Sequence, residues 1–454
     1  MKLIQSAGIL ALILTMTACS KKDRPLEGER LDLRTPITGS EEVATGETGD
    51  GAAPAIAALG TDENIALPIT LPAAVNYSEW THRNGTATHR IIHPALGQDL
   101  SRAWSSNIGA GDSRRFRITA DPVVSAGRIF TMDAQSSVRA HSTEGASLWS
   151  RDLTPGSDRT SDASGGGLAV SGDVVLATTG FGTLSALDAA SGQVRWTQRL
   201  NAPATGAPTV LGDLAYVVSR DGRAWAINIA NGRVRWELPG VPTQSVMVGG
   251  AGPAVNDKVA IFPFGSGDLV AGFPRAGVRL WGARVAGQRR GRVYATVNDV
   301  SGDPVIDGDV VYTGNSSGSV IALNARSGER IWTATEGTYS PVWPSGGSVF
   351  LVSDQAELIR LDAETGARIW GVELPYFTTR RERRRKGVHS HYGPILAGNR
   401  LIVASSDGQI RSYNPVDGSL LSSVGLPGGA TTNPIVVNGT LYVVSSSGTL
   451  HAFR

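Results

Sequence analysis

The chain has 454 residues, a formal net charge of +2 at pH 7 and 41% hydrophobic residues. This length allows several domains, but the near-neutral charge provides no overall field for nucleic acid, and we expect no nucleic-acid partner. The 56 glycines are dispersed along the chain, which excludes a low-complexity protein and favours an all-β chain with many turns.

The first residues have the features of a bacterial export signal. Lys2 precedes an apolar run, residues 9–14, that is too short to cross a membrane. The run ends in Met-Thr-Ala-Cys, which resembles a lipoprotein processing site at Cys19. Cys19 is the only cysteine of the chain, and lipidation explains it better than a stray free thiol. We predict a signal peptide over residues 1–19 and a lipid anchor on Cys19; by the same resemblance, Ser20 implies transfer to the outer membrane.

Residues 20–75 are predicted to form a flexible acidic tether. Between residues 35 and 74 there is no lysine or arginine, and the interspersed Gly, Ala, Thr and Pro offer little to bury. The acidic residues of this stretch are Glu41, Glu42, Glu47, Asp50, Asp62 and Glu63.

From Asn76 onward the sequence repeats. A glycine is followed four residues later by a tryptophan at Gly145/Trp149, Gly192/Trp196, Gly232/Trp236, Gly277/Trp281, Gly328/Trp332 and Gly366/Trp370. A seventh copy, Gly418/Ser422, lacks the tryptophan, and Trp104 supplies an eighth strand without the glycine. Repeats of about 40–50 residues, each with four short strands, are typical of propeller blades. We expect the tryptophans to pack between blades as core residues.

The chain ends inside a repeat. Residues Leu450–Arg454 match a third strand, and the strand that should follow has one unclaimed candidate, Leu100–Trp104. Pairing of these two segments would close the ring and remove exposed sheet edges. We therefore predict that residues 76–454 form an eight-bladed β-propeller of four-stranded antiparallel blades, closed by pairing of the N- and C-terminal segments.

The residues provide little for catalysis. His389 and His391 alternate along one stretch, but two ligands are too few for a zinc site, and a solvated or partner-facing pair is the better interpretation. We expect no catalytic residue, no metal and no cofactor. Because the repeats resemble the quinoprotein type, a periplasmic PQQ-dependent dehydrogenase or a small-ligand-binding propeller remains the alternative.

One basic run stands out, in a loop between two predicted blades. It consists of Arg380, Arg381, Arg383, Arg384, Arg385 and Lys386, interrupted by Glu382. It is either a solvated loop or a contact for an acidic partner surface or lipid headgroups, which the forked donors of arginine suit.

The lipoprotein signal, the linker and the eight quinoprotein-type blades together resemble the BamB family of outer-membrane β-barrel assembly lipoproteins. The resemblance implies a non-enzymatic scaffold that is lipid-anchored in the outer membrane and faces the periplasm. It implies binding to the POTRA modules of BamA, to other components of the barrel-assembly machinery and to unfolded outer-membrane protein clients, whose folding and insertion it would assist.

The resemblance also implies a BamA contact in two neighbouring interblade loops. The stretch 245–253 matches the first loop at Gly249 and Pro253, and the stretch 299–304 matches the second at Asp299 and Pro304. The family pattern of the first loop includes an arginine that this sequence lacks. Arginines in the second loop could replace its positive charge. The implied binding residues are Met247, Val248, Gly249, Arg289, Arg290, Arg292 and Asp299. Asp299 fits an ordinary turn residue equally well, and we expect Met247 and Asp299 in surface loops.

Overall fold

A computed structural model of the chain describes residues 64–204, 206–243, 249–285, 287, 289 and 293–454. The strands of these residues form eight four-stranded antiparallel sheets, which confirms the predicted eight-bladed propeller. Two short 3₁₀ helices, Val293–Thr296 and Glu382–Arg384, lie between blades. No helix in the described ranges has the length and hydropathy needed to cross a bilayer.

Blades I to IV follow one another in chain order. Blade I contains β2 (Val123–Ser125), β3 (Arg128–Met132), β4 (Ser137–Ser142) and β5 (Ser147–Asp152). Blade II contains β6 (Gly166–Ser171), β7 (Val174–Thr179), β8 (Thr183–Asp188) and β9 (Val194–Arg199). Blade III contains β10 (Thr209–Leu211), β11 (Leu214–Ser219), β12 (Arg223–Asn228) and β13 (Val234–Pro239). Blade IV contains β14 (Ala254–Val255), β15 (Ala260–Pro263), β16 (Asp268–Gly272) and β17 (Arg279–Arg284).

Blades V to VIII complete the ring. Blade V contains β18 (Gly302–Asp307), β19 (Val310–Asn315), β20 (Ser319–Asn324) and β21 (Arg330–Ala334). Blade VI contains β22 (Trp343–Ser345), β23 (Ser348–Val352), β24 (Glu357–Asp362) and β25 (Arg368–Glu373). Blade VII contains β26 (His391–Ala397), β27 (Arg400–Ser405), β28 (Gln409–Tyr413) and β29 (Leu420–Gly425). Blade VIII contains β30 (Ile435–Val437), β31 (Thr440–Ser445), β32 (Thr449–Phe453) and β1 (Arg102–Asn107).

Blade VIII closes the ring as predicted. Its outermost strand β1 pairs antiparallel with β32, with Trp104 opposite Ala452. Ser101 and Arg454 exchange backbone hydrogen bonds of 2.7 and 2.9 Å next to this pair. The two ends of the propeller sequence are therefore joined by a hydrogen-bonded ladder.

In seven of the eight blades, a tryptophan of the outermost strand links the blade to the next. Each indole Nε1 donates to a carbonyl oxygen in the turn before the last strand of the following blade. The pairs are Trp104–Thr143, Trp149–Ala189, Trp196–Ile229, Trp236–Pro274, Trp281–Ala325, Trp332–Ala363 and Trp370–Pro415, at 2.8–3.3 Å. The repeat glycine of that turn lies against the indole, and a Cβ at Gly192 would come within 2.4 Å of Trp149. The Gly-x-x-x-Trp pattern thus pairs a glycine with the tryptophan of the preceding blade.

This contact also explains the missing tryptophan of blade VII. Ser422 lies on β29, where an indole would need a turn of blade VIII to receive its hydrogen bond. Blade VIII has no such turn, because its last two strands, β32 and β1, come from opposite ends of the propeller sequence. The place that would hold a repeat glycine is taken by the pair Ser101 and Arg454.

Residues before β1 pack on the ring from an earlier point than the sequence predicts. The predicted boundary between tether and propeller is Asn76. However, Ile65 N donates to Ile369 O of β25 at 3.0 Å, and Leu67 N donates to Val416 O at 3.3 Å. Residues 64–75, assigned to the tether, are therefore hydrogen-bonded to blades VI and VII in part. Residues 1–63 lie outside the described ranges, and their division into signal peptide and tether stays a prediction.

Residues 77–96, here called the axial segment, contact the ring from inside. Each blade's first strand is buried and innermost. The segment hydrogen-bonds to the first strand, or to the turn after it, in seven blades. The pairs are Trp80–Val124, Thr81–Val170, His82–Val210, Ala87–Val255, Thr88–Ile306, Pro94–Gly398 and Tyr77–Asn438. A segment that reaches the inner strands of seven blades must lie across the ring axis.

Candidate partner-binding face

The connections from the outermost strand of one blade to the innermost strand of the next lie on one face of the ring, because every blade repeats the same alternation of strand direction. We call this the connection face. The III–IV connection carries Gly249, the IV–V connection carries Arg289 and Asp299, and the VI–VII connection carries the basic run. Gly249, Arg289, Asp299 and the basic run therefore belong to one face.

The III–IV connection touches blade V directly. Gly252 N donates to Asp303 Oδ1 at 2.7 Å, and Asp303 is the second residue of β18, the buried strand that follows the IV–V connection. The III–IV connection therefore contacts the strand that follows the IV–V connection, and adjacency of the two loops themselves stays a prediction. Met247, Val248, Arg290 and Arg292 lie outside the described residues.

Asp299 is not at the surface. Its exposed fraction is 5%, so the expectation of a surface-loop residue is wrong. Burial lowers the pKa of Arg220, in a turn of blade III, and the negative charge of Asp299 opposes that shift. Asp299 therefore acts electrostatically inside the protein, on a cation of blade III.

Arg289 is held within the chain as well. Its Nε lies 2.7 Å from a carboxylate oxygen of Asp354, whose side chain is fully buried, and its Nη2 lies 3.4 Å from Glu336. These contacts fasten the IV–V connection to blade VI and to the V–VI connection. The expectation that Arg289 offers its charge to a partner is not supported by this arrangement, because the charge is already paired.

The axial segment places a buried cation between opposite blades. Arg83 Nε lies 3.2 Å from Asp121, which directly precedes β2 of blade I, and 3.2 Å from Asp303 of blade V. The three side chains are 11%, 5% and 0% exposed. Burial raises the pKa of each carboxyl group, and the Arg83 guanidinium opposes that shift. Backbone and amide donors of Asn433 satisfy Asp121 further, at 2.9 and 2.8 Å.

Two histidines of the axial segment are buried and uncharged. Burial lowers the pKa of His82 and of His89 to about 3. As a neutral ring, His82 accepts a hydrogen bond from Val210 N at 2.9 Å, and His89 Nδ1 lies 2.9 Å from Pro304 O. Both neutral imidazoles therefore pack at the ring axis and form hydrogen bonds with the surrounding blades.

Sequence reasoning missed the axial segment, although it leaves a signal. Trp80, His82, His89 and His93 cluster in a stretch that matches no repeat and differs from the acidic residues before it. A tryptophan and three of the seven histidines in an unrepeated stretch are unusual for a linker.

Two features that suggest catalysis have structural explanations. His391 is 9% exposed and its ring contacts Ser405 Oγ at 2.7 Å and Pro375 O at 2.9 Å, so the interpretation as a solvated or partner-facing residue is wrong. Residues Gly314–Gly318 match the Gly-x-Ser-x-Gly pattern, which sequence reasoning overlooked. They span the end of β19 and the turn to β20, whereas a nucleophile elbow joins a strand to a helix. Within the described ranges, no group of three or more potential ligands is placed to hold a metal ion.

The fold and this face define an eight-bladed β-propeller with quinoprotein-type repeats whose axis is filled by its own chain. A family model described as "Outer membrane protein assembly factor BamB" matches residues 134–372 and 378–454. The chain belongs to this family.

Named relatives agree with this assignment. The chain is 29% identical over 356 residues to the outer membrane protein assembly factor BamB of Escherichia coli K12, covering 77% of this chain and 88% of that protein. It is 24% identical over 361 residues to that of Yersinia pestis, covering 78% and 88%.

Solved structures agree on the fold. BamB from Moraxella catarrhalis superposes with a TM-score of 0.64 at 19% identity, covering 78% of this chain and 100% of that one. A europium-containing methanol dehydrogenase superposes equally well, with a TM-score of 0.64 at 15% identity and coverages of 83% and 98%. At these identities the likeness shows the architecture alone.

Proposed function

We propose that this protein is a non-enzymatic scaffold of outer-membrane protein assembly. The observation that carries the proposal is the family match, which extends over most of the propeller. The filled axis supports it, since the central channel is the main concave feature that a propeller offers to a small ligand.

The alternative, a PQQ-dependent or small-ligand-binding propeller, has the likeness to a methanol dehydrogenase in its favour. A ligand on the axis would have to displace the axial segment, including the paired Arg83. Absorbance and activity after incubation with PQQ and Ca²⁺ would distinguish the two functions.

The proposed partners are the POTRA modules of BamA, other assembly components and unfolded clients. The III–IV and IV–V connections are the proposed BamA contact, because they follow one another on one face, and Gly252 of the first donates to Asp303 of β18, the strand just after the second. With Asp299 buried and Arg289 paired, the contact depends mainly on the apolar Met247 and the residues beside it.

Changing Met247→Asp is expected to reduce BamA capture strongly. An acidic side chain in the centre of an interface loses its apolar contact and must be desolvated, and a central residue of this kind contributes about 2 kcal/mol or more, about 30-fold in affinity. The measurement is the amount of BamA that copurifies with the tagged protein from detergent-solubilised membranes. Thr160→Asp is the matched control, because Thr160 is exposed in the I–II connection on the same face. Equal capture by the parent and both variants would place the BamA contact elsewhere.

We also propose that a lipid on Cys19 anchors the protein in the outer membrane, facing the periplasm. Acyl chains contribute about 0.8 kcal/mol for each buried CH₂ group. Changing Cys19→Ala is therefore expected to move the protein to the soluble periplasmic fraction or to leave it unprocessed. The measurement is cell fractionation with mass analysis of the mature protein, and unchanged membrane association would contradict the proposal. Cys19→Ser tests whether any sulfur-free side chain has the same effect.

A further inference from the structure

The connection between blades VI and VII projects as a short hairpin, residues 376–389, here called the basic hairpin. Phe377 and Val388 form an antiparallel bridge at its base. Thr378 N donates to Gly387 O at 3.1 Å one step further along. The base is thus held by main-chain hydrogen bonds, and the tip beyond it contains the 3₁₀ turn.

The tip carries a concentrated and unbalanced charge. Its cations are Arg380, Arg381, Arg383, Arg384, Arg385 and Lys386, all exposed, and Glu382 is its single anion. The resulting formal charge of +5 exceeds the +2 of the whole chain. Among the residues that the structure describes, only Arg385 of these six forms an ion pair, at 3.7 Å to Glu382, which is itself 84% exposed. Like charges held this closely repel one another, and an anionic ligand would relieve the repulsion.

The base of the hairpin adds an exposed apolar surface. Phe377 is 41% and Val388 is 53% exposed. Tyr376 packs edge-on against Phe377 with ring centres 4.8 Å apart, and the guanidinium of Arg385 lies 4.9 Å from the centre of the Phe377 ring. Exposed aromatic rings beside arginines are the composition found at the energetic centres of protein interfaces.

The arrangement favours an extended protein segment over a bilayer. Residues 379–387 contain no apolar side chain, so the tip has nothing to insert between acyl chains. The apolar pair Phe377 and Val388 lies at the base of the hairpin, beside Arg385, and not at its tip. A chain that lies along the hairpin can place carboxylates on the arginines and apolar side chains on the base.

We propose that the basic hairpin is a docking site for an extended acidic segment of a partner protein, with apolar side chains interspersed among its carboxylates. The site is separate from the proposed BamA contact and does not depend on it. Arginine forks would bind the carboxylates, and Phe377 with Val388 would receive the apolar residues.

Fluorescence anisotropy of the full-length protein tests the proposal. The probes are a labelled peptide of repeated Glu-Glu-Phe units and its Gln-Gln-Phe counterpart. We expect the parent protein to bind the first peptide, to bind it less tightly as salt is raised, and not to bind the second. A variant with all six cations of the tip changed to glutamine should lose at least about tenfold in affinity. The variant Phe377→Ser/Val388→Ser should lose several-fold while retaining the dependence on salt.

The matched control is Arg114→Gln/Arg115→Gln, two exposed arginines of the VIII–I connection on the same face. Its affinity should stay within about twofold of the parent, since scattered surface charges contribute little. Thermal unfolding of each variant checks that the fold is intact. An unchanged affinity in the six-residue variant, or equal loss in the control, would overturn the proposal. Binding of phosphatidylglycerol-containing vesicles through the hairpin, without binding of the acidic peptide, would assign it to lipid headgroups instead.

Discussion

Deleting residues Leu450–Arg454 is expected to abolish cooperative unfolding of the propeller. The deletion removes all but the first residue of β32, which pairs with β31 on one side and β1 on the other. Leu450 and Phe453 are fully buried, and burial of each such side chain contributes about 1.5–3 kcal/mol. The lost ladders and the two edges left unpaired add to this, whereas whole domains are stable by only about 5–15 kcal/mol.

Differential scanning calorimetry and near-ultraviolet circular dichroism measure this effect. Removal of residues 156–160 is the matched control, since these five residues are exposed in the I–II connection and the ring stays closed without them. A truncated protein that melts like the parent would contradict the role of β32 in closure. Phe453→Ala provides an intermediate case, with an expected loss of about 3–5 kcal/mol.

Changing Arg83→Met is expected to lower the free energy of unfolding by about 3–5 kcal/mol at pH 7. The substitution leaves Asp121 and Asp303 buried, charged and without the cation that lies between them. Chemical denaturation measures the loss. The matched control is Arg326→Met, because Arg326 and Asp309 form an ion pair whose side chains are 67% and 58% exposed, and such pairs contribute at most about 1 kcal/mol.

The loss in free energy of unfolding caused by Arg83→Met should become smaller as the pH is lowered. Burial raises the folded-state pKa of Asp121 and of Asp303 above the unfolded value, and loss of Arg83 removes the opposing influence. Carboxyl groups of this kind take up protons more readily in the folded state, so their protonation stabilises the fold as pH falls from 7 to 5. His82 and His89, with pKa values lowered to about 3, act in the opposite direction in both proteins. Comparison of the variant with the parent at each pH removes the part of this effect that the two proteins share. Arg83 also lowers the pKa of His89, so its loss weakens the acid destabilisation by His89 and adds to the expected recovery.

A second substitution separates charge from packing in this cluster. Arg83→Met/Asp303→Asn removes one of the two unpaired carboxylates, and we expect it to recover about half of the loss. The remaining amide oxygen can still accept the hydrogen bond that Gly252 N donates to Asp303. A single-variant loss below about 1 kcal/mol at pH 7, with no change at pH 5, would show that the cluster does not support the ring.

The sequence alone determined the architecture of this protein. The spacing from Gly192 to Trp196, the strand and turn patterns around it, and the unfinished repeat at Leu450 predict blades, their number and the closure of the ring. These signals can be read because they are local and occur several times. Hydrophobic alternation and turn chemistry act over a few residues, and repetition makes the pattern visible.

The tertiary structure alone decided what occupies the axis and which polar residues are buried or already paired within the chain. Arg83 meets Asp303 across 220 residues of sequence, Arg289 is paired with Asp354, and Asp299 is buried. Ser422 has no turn to face because the chain ends meet in blade VIII. Each of these arrangements occurs once and is not repeated from blade to blade, and the neighbours of these residues are set by the closure of the ring. The local spacing of residues carries no information about which individual residues face one another across the axis of the closed ring.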